Sequence, residues 1–258
     1  MISPRSDRAV YRALAEDLKS RIESGELPPG ASLPSEAELM RQSGVSRVTA
    51  RETVRYLRRL GLVVTEKGRG TFVRQPRPIR RLGASRYLGE TDSQGGETSS
   101  TRDQKISWDE HTLDRDFRVV PASIRQGDLL DLPEGAEVLE RRFVPRYKGK
   151  PQEISVSCYP YELVKGTPAA DPINEPWPGG SIAQLRTLGV AVTRVAEAVS
   201  SRRPTPEEAD VLKLDSDDPV LVIVRRMFAG DRPVEMADIV QSAEYVQVEY
   251  DITIPRSD

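Results

Sequence analysis

The segment Ser43–Gly61, SGVSRVTARETVRYLRRLG, admits few folds. Ala50, Val54 and Leu57 recur at spacings of four and three, one apolar stripe along a helix. Arg47, Arg51, Arg55 and Arg58 fall on a second stripe of the same helix. One side must therefore be buried, and the other presents closely spaced positive charge. A solvated basic face would satisfy that pattern. So would a surface that meets a polyanion, and the neighbouring sequence discriminates between them.

Upstream, Leu14, Leu18 and Ile22 mark another helix, closed by Gly25 and a proline-rich turn. In LPSEAEL, Ser35 with Glu38 three residues on is a capping box and starts a second, short helix that ends at Gly44. Ser46 N-caps the arginine helix, which runs to about Leu60. Two helices joined by a tight glycine turn, the second with a buried and a basic stripe, spell a helix-turn-helix. After Gly61 the period changes. LVVTE and TFVRQ read as strands joined by the glycine turn KGRG, a hairpin wing tipped by Lys67, Gly68, Arg69 and Gly70.

In such a motif the second helix lies in the major groove of double-stranded DNA and its N-terminal residues reach base edges. Arg47 and Arg51 are placed for guanine, where an arginine fork meets O6 and N7. Ser46 and Thr49 suit phosphates or thymine methyls; Arg55, Arg58 and Arg59 lie further along, toward phosphate or solvent. Lys67 and Arg69 suit phosphates or the minor groove. Charge agrees. Residues 1–81 hold 17 Lys+Arg against 9 Asp+Glu, a net of +8, and residues 82–258 hold 21 against 31, a net of −10. Only the first third is electrostatically suited to a polyanion.

LPSEAEL, GVSRVTARETVRYLRRLGLV and KGRGTFV together resemble the winged helix-turn-helix of GntR-type bacterial transcription regulators, over about residues 8–75. The resemblance implies DNA contacts at Ser46, Arg47, Thr49 and Arg51, with Gly68 and Gly70 in the wing. Ala37 stands where many members carry an arginine that touches the DNA backbone, which implies one phosphate contact fewer.

From Pro76 the chain turns rich in Arg, Gly, Ser and Thr and reads as a linker to about residue 105, with Leu82, Tyr87 and Leu88 offering apolar surface for docking. Beyond it the pattern is α+β. Strands at FRVVPASI, EVLERRFVPRY, PQEISVSCYPYEL, VTRVAEAVSSRRP, PVLVIVRRMFAG, RPVEMADIVQ and YVQVEYDITI alternate with short helices at IRQGDLL, SIAQLRTLG and TPEEADVLKL. Hairpin turns at KGK and GDR predict a mainly antiparallel sheet.

No catalytic constellation stands out. One cysteine, Cys158, excludes an internal disulfide and a multi-cysteine metal site, and one histidine, His111, excludes sites that need two. There is no glycine-rich phosphate loop and no metal-ligand spacing, so no cofactor and no enzymatic activity are expected. No eighteen-residue apolar run is present, and the charged N-terminus lacks the apolar core of a signal peptide. The expected location is the cytoplasm, away from any membrane.

VLERRFVPRYKGKPQEISVSCYP, TPEEADVLKLDSDDPVLVIVRRMFAGDRPVEM and the terminal YVQVEYDI resemble the effector-binding UTRA domain of the HutC subfamily of GntR regulators. That domain shares the fold of chorismate lyase, a likeness of fold that does not carry activity. The resemblance implies a sheet with a ligand cleft, dimerisation through this domain, and contacts to a small anionic effector from Arg141 or Arg142, with Glu235 and Tyr245 nearby. Strand alternation sends one of the two arginines to each face.

The expected architecture is thus α+β: a winged helix-turn-helix over 1–76, a linker over 77–105 and a chorismate-lyase-like UTRA domain over 106–258. The expected function is a homodimeric, sequence-specific repressor, released from a pseudo-palindromic operator by the effector. A constitutive repressor that needs no ligand is the alternative reading, and an enzyme on the same scaffold is the rival from another class.

Overall fold

A computed structural model of the protein describes residues 4–66, 68–74, 79–83, 87, 111–147, 149–244 and 246–250. The chain divides into two compact units, Met1–Pro76 and Arg77–Asp258.

The first unit is built from α1 (Pro4–Glu23), α2 (Glu36–Ser43), α3 (Arg47–Arg59) and the hairpin β1 (Val63–Glu66) and β2 (Gly70–Val73). Ser35 caps α2 as its sequence requires: its hydroxyl accepts from the Glu38 amide at 3.2 Å, and the Glu38 carboxylate accepts from the Ser35 amide at 2.8 Å. Gly44 ends α2 in the left-handed region, φ 63°, where a residue with a Cβ would be strained. Leu18, Leu33, Leu39, Ala50, Leu57, Val63 and Val73 form one core. The buried stripe of α3 is Thr49, Ala50, Thr53 and Leu57. Val54, placed in that stripe by its spacing, is only partly buried, and two threonines take the wall instead. Thr53 can do so because its hydroxyl donates to the Thr49 carbonyl at 2.9 Å.

In the second unit, β4 (His111–Pro121), β5 (Glu137–Tyr147), β7 (Glu153–Pro160), β8 (Arg194–Arg202), β9 (Val220–Ala229) and β10 (Arg232–Ser242) form one antiparallel sheet in the order β4-β5-β7-β10-β9-β8, with the short β6 (Lys150–Pro151) pairing β5. α4 (Ile124–Leu130) and α7 (Pro206–Leu212) cover one face, over Leu130, Val138, Cys158 and Met236 at one end and Val144, Ile154, Leu212 and Val240 at the other. α5 (Tyr161–Val164), two single turns at Pro168–Ala170 and Pro172–Asn174, and α6 (Gly180–Thr187) cover the other, over Leu139, Tyr159, Leu185, Met227 and Val234. That second layer makes this the inner face of the sheet. An irregularity between Pro233 and Glu235 inserts one residue into β10, so that Glu235 shares a face with Ala237 and Ile239.

The segment read as a linker contains structure of its own. Ile79–Leu82 form β3, which pairs in parallel with β11 (Val246–Glu249), Val246 facing Ile79 and Glu249 facing Leu82. Its partner lies more than 160 residues away, and no local pattern announces such a pairing. The Leu88 expectation, like the rest of the linker beyond Tyr87, lies outside the described residues. No helix among the described residues is long and apolar enough to cross a membrane.

Candidate functional site

In the first unit the candidate surface is α3 with the hairpin. Ser46 N-caps α3, accepting from the Thr49 amide at 3.2 Å and sharing a hydroxyl hydrogen bond with Thr49 Oγ1 at 2.9 Å. Arg47 is exposed and makes a loose ion pair with Glu36, 3.8 Å. Arg51 is exposed, one turn on, and makes no ion pair among the described residues. Further along, Arg55 pairs with Glu52 at 2.6 Å and Arg59 lies over the Tyr56 ring at 5.8 Å. Arg51 thus carries an exposed charge without an ion pair among the described residues near the N-terminal end of the helix, where base contact is geometrically easiest.

Thr49 is placed differently from the expectation. It is 4% exposed and spends its hydroxyl on Ser46, because it falls on the core side beside Ala50. The residue that does project there is Val48, 70% exposed. Charge-centred reasoning passed over it, although an exposed β-branched residue at the second position of a reading helix is itself a signal. At the hairpin tip Gly68 and Gly70 both have positive φ, 78° and 123°. Arg69 is exposed, pairs with Glu66 and stacks near Phe72. Lys67 lies outside the described residues.

In the second unit the candidate site is a polar row across the inner face of the sheet. Phe117, Arg141, Ser157, Ala237, Arg225 and Glu197 sit side by side on consecutive strands. Arg141 is 2% exposed, its guanidinium held among Phe117, Tyr159 and Phe143 at 4.9, 5.0 and 5.1 Å. Its charge is met by Glu175, and it donates to Gln184 at 2.6 Å, which in turn donates to Glu175 at 3.0 Å. Glu175, on the segment after the second single turn, also accepts from the Trp177 amide at 2.8 Å. Arg142, one residue on, emerges on the opposite face toward Glu207 at 3.6 Å.

Glu235 is fully buried and accepts from Arg225 at 2.9 Å through one oxygen. Its other oxygen, Ser157 Oγ and the Nε atoms of Arg141 and Arg225 have no hydrogen-bond partner among the described residues. The Tyr159 hydroxyl faces Ser181 without completing a hydrogen bond, and burial pushes its pKa up to about 12. Buried polar atoms without partners are uncommon in folded proteins. Here donors and acceptors converge on a floor of small side chains, Ser157 and Ala237, between two arginines.

Each arginine of this face is already paired, Arg141 with Glu175 and Arg225 with Glu235. An incoming anion must therefore compete with a carboxylate. Glu175, Gln184 and Arg225 were not foreseen. Nothing local marks the first two, whereas Arg225 and Glu235 are an opposite-charge pair spanning the GDR hairpin. Tyr245 lies outside the described residues. Cys158 faces away from this row, toward Gln126 at 3.3 Å, and burial followed by the nearby Glu140 raises its thiol pKa to about 12. Such a thiol is inert.

Comparison with known proteins matches both units. Residues 10–73 match the family described as bacterial regulatory proteins, gntR family, and residues 111–247 match the UTRA domain. An HTH-type transcriptional regulator of Streptomyces coelicolor is 30% identical over 96% of this chain and 94% of its own length. The histidine utilization repressor of Pseudomonas putida is 27% identical over 90% of this chain and 87% of its own. A crystal structure of a GntR-family transcriptional regulator superposes with a TM-score of 0.64 at 32% identity, covering 95% of this chain and 98% of that one.

Proposed function

The chain belongs to the GntR family of bacterial regulatory proteins, in the branch that carries a UTRA domain and includes the histidine utilization repressors, and from that membership we propose that it is a DNA-binding repressor whose operator affinity is set by a small effector. The observation that carries the DNA-binding half is the exposed N-terminal end of α3, with Arg47, Val48 and Arg51 outward above a buried Thr49. Arginine forks read guanine, and Val48 suits a thymine methyl. Ser46 orients the helix and leaves its own exposed side to a phosphate. Arg69, with Lys67 beside it in sequence, serves the backbone or the minor groove.

The buried polar row supports the effector half. A ligand with an anionic group can replace Glu175 at Arg141, and a hydroxyl or amide on it can donate to the free oxygen of Glu235. The protein acts as a homodimer in the cytoplasm, with two reading helices about 34–36 Å apart on a pseudo-palindromic operator. Effector binding favours an arrangement in which that spacing is lost, within the ~1–3 kcal/mol typical of coupling between sites.

Fluorescence anisotropy of the full-length protein tests this, on duplex DNA from upstream of its own gene and on scrambled DNA of equal length, across a salt series. Tight binding to the first alone, persisting at physiological salt, supports the reading. Equal and steeply salt-sensitive binding to both means that only phosphates are being read, and refutes specific recognition at that sequence.

A further inference from the structure

The buried polar row of the second unit does not end at the sheet. Arg81, on β3, is 2% exposed and pairs with Glu197 at the β8 end of the row. Tyr87 donates its hydroxyl to the same Glu197 oxygen that Arg81 meets. Glu197 lies directly opposite Arg225 in the register of β8 with β9, Tyr87 acts electrostatically on Arg225, and Arg225 pairs with Glu235. A continuous chain therefore runs Glu235, Arg225, Tyr87, Glu197, Arg81. Its first members line the candidate effector face. Its last is five residues beyond Pro76, where the first unit ends.

Two features make this more than surface decoration. The side chains of Arg81, Glu197, Arg225 and Glu235 are 3, 9, 13 and 0% exposed, so water does little to screen them. And β3 is seated closely on β11. The Gly83 amide donates to the Glu249 carbonyl at 2.7 Å, and a Cβ at Gly83 would fall 2.4 Å from the Tyr250 ring. The segment is thus held in one register, with Arg81 aimed at the sheet.

We propose that Arg81 and Tyr87 are the coupling residues of this regulator: they join the effector face to the segment that leads to the DNA-binding unit. The proposal rests on the effector-controlled reading given above. Glu197 is a shared acceptor. A ligand that engages Glu235 or re-aims the Arg225 fork alters the charge beside Glu197 and its hydrogen bond from Tyr87, and with it the hold of Glu197 on Arg81. β3 then loosens from, or tightens on, β11 without any direct contact to the ligand. Arg81 and Tyr87 act by position, not by touching the effector.

The test is a double-mutant cycle read by hydrogen–deuterium exchange on the full-length protein, with neither DNA nor effector added. Glu235→Gln keeps shape and removes the charge at the far end. Tyr87→Phe removes only the relay hydroxyl. In Glu235→Gln the amides of residues 79–82 exchange about tenfold faster or more, while those of 112–120 in β4 are unchanged. In Tyr87→Phe the further change Glu235→Gln has no additional effect at 79–82. Unaltered exchange at 79–82 in Glu235→Gln overturns the proposal. So does full additivity of the two changes, or an acceleration spread equally over 112–120, which marks general destabilisation. Should Glu235→Gln fail to fold, Arg225→Lys, which keeps charge but loses the fork, enters the same cycle with the same expectation. Because no DNA is present, a failure here leaves the anisotropy result standing, and a failure there leaves the relay standing.

Discussion

Replacing Arg51 by alanine separates recognition from folding at a single position. Arg51 lies exposed on α3, one turn beyond Arg47, and makes no ion pair among the described residues. Its loss therefore strands no buried partner, and the change in folding stability stays within ~0.5 kcal/mol, as for surface substitutions away from special features. A bidentate arginine–guanine contact discriminates by ~1–3 kcal/mol, so affinity for the best duplex falls about 5–150-fold. The loss concentrates on one base pair of each half-site, because the other contacts remain. The assay is anisotropy on a duplex selected by the wild-type protein from a randomised pool, repeated with each base substituted at each position. A thermal melt of the same variant accompanies it. Wild-type affinity within twofold would refute the placement of α3 in the groove. A uniform loss over all sequences with a flatter salt dependence would make Arg51 a phosphate contact instead.

Three further outcomes follow from the second unit. Arg141→Ala leaves Glu175 buried without its cation, and should destabilise that unit by ~3–5 kcal/mol in a urea titration; the double change Arg141→Met with Glu175→Gln should recover much of it. Cys158, with its thiol pushed up to about 12, should ignore a thiol-reactive disulfide reagent at pH 8 in the folded protein and react at once when unfolded; fast labelling of the native state would contradict its burial. The hydrogen bond from Arg202, opposed by burial and aided by the Thr205 amide, holds the Glu208 carboxyl below its usual range. A depressed carboxylate stabilises above its unfolded pKa and loses that contribution as pH falls through the folded value. Glu208→Gln should therefore lower stability near neutrality and alter it less in acid, below the ordinary glutamate range of ~4.3, measured by urea midpoints in both conditions.

Local chemistry was legible wherever a few adjacent residues settle the outcome. Ser35, Ser46 and Thr205 each cap the helix their sequence announces, since a capping hydroxyl and the amide that donates to it lie three residues apart. The hairpins at Gly149 and Gly230 close between the strands that flank them, and the sheet is antiparallel as short turns demand. The arginine stripe of α3 and the glycines of the hairpin stand where periodicity and turn chemistry put them.

What periodicity could not supply was which member of a pair faces inward. Thr49 and Val48 are neighbours with similar volume and branching, and only the packing of α1 and α2 on α3 buries the first and exposes the second. Arg141 and Arg142 are likewise indistinguishable in sequence. The layer of Glu175 and Gln184, brought from over thirty residues downstream, makes Arg141 the buried one. The parallel pairing of β3 with β11, and the meeting of Arg81, Tyr87, Glu197 and Arg225, join segments more than a hundred residues apart. The sequence by itself determined two units, the arginine-striped helix and the class of fold, because caps, turns and stripes are set by neighbours along the chain. Only the tertiary structure decided which charges are buried and what they hold. Desolvation and pairing depend on groups that sequence distance does not relate.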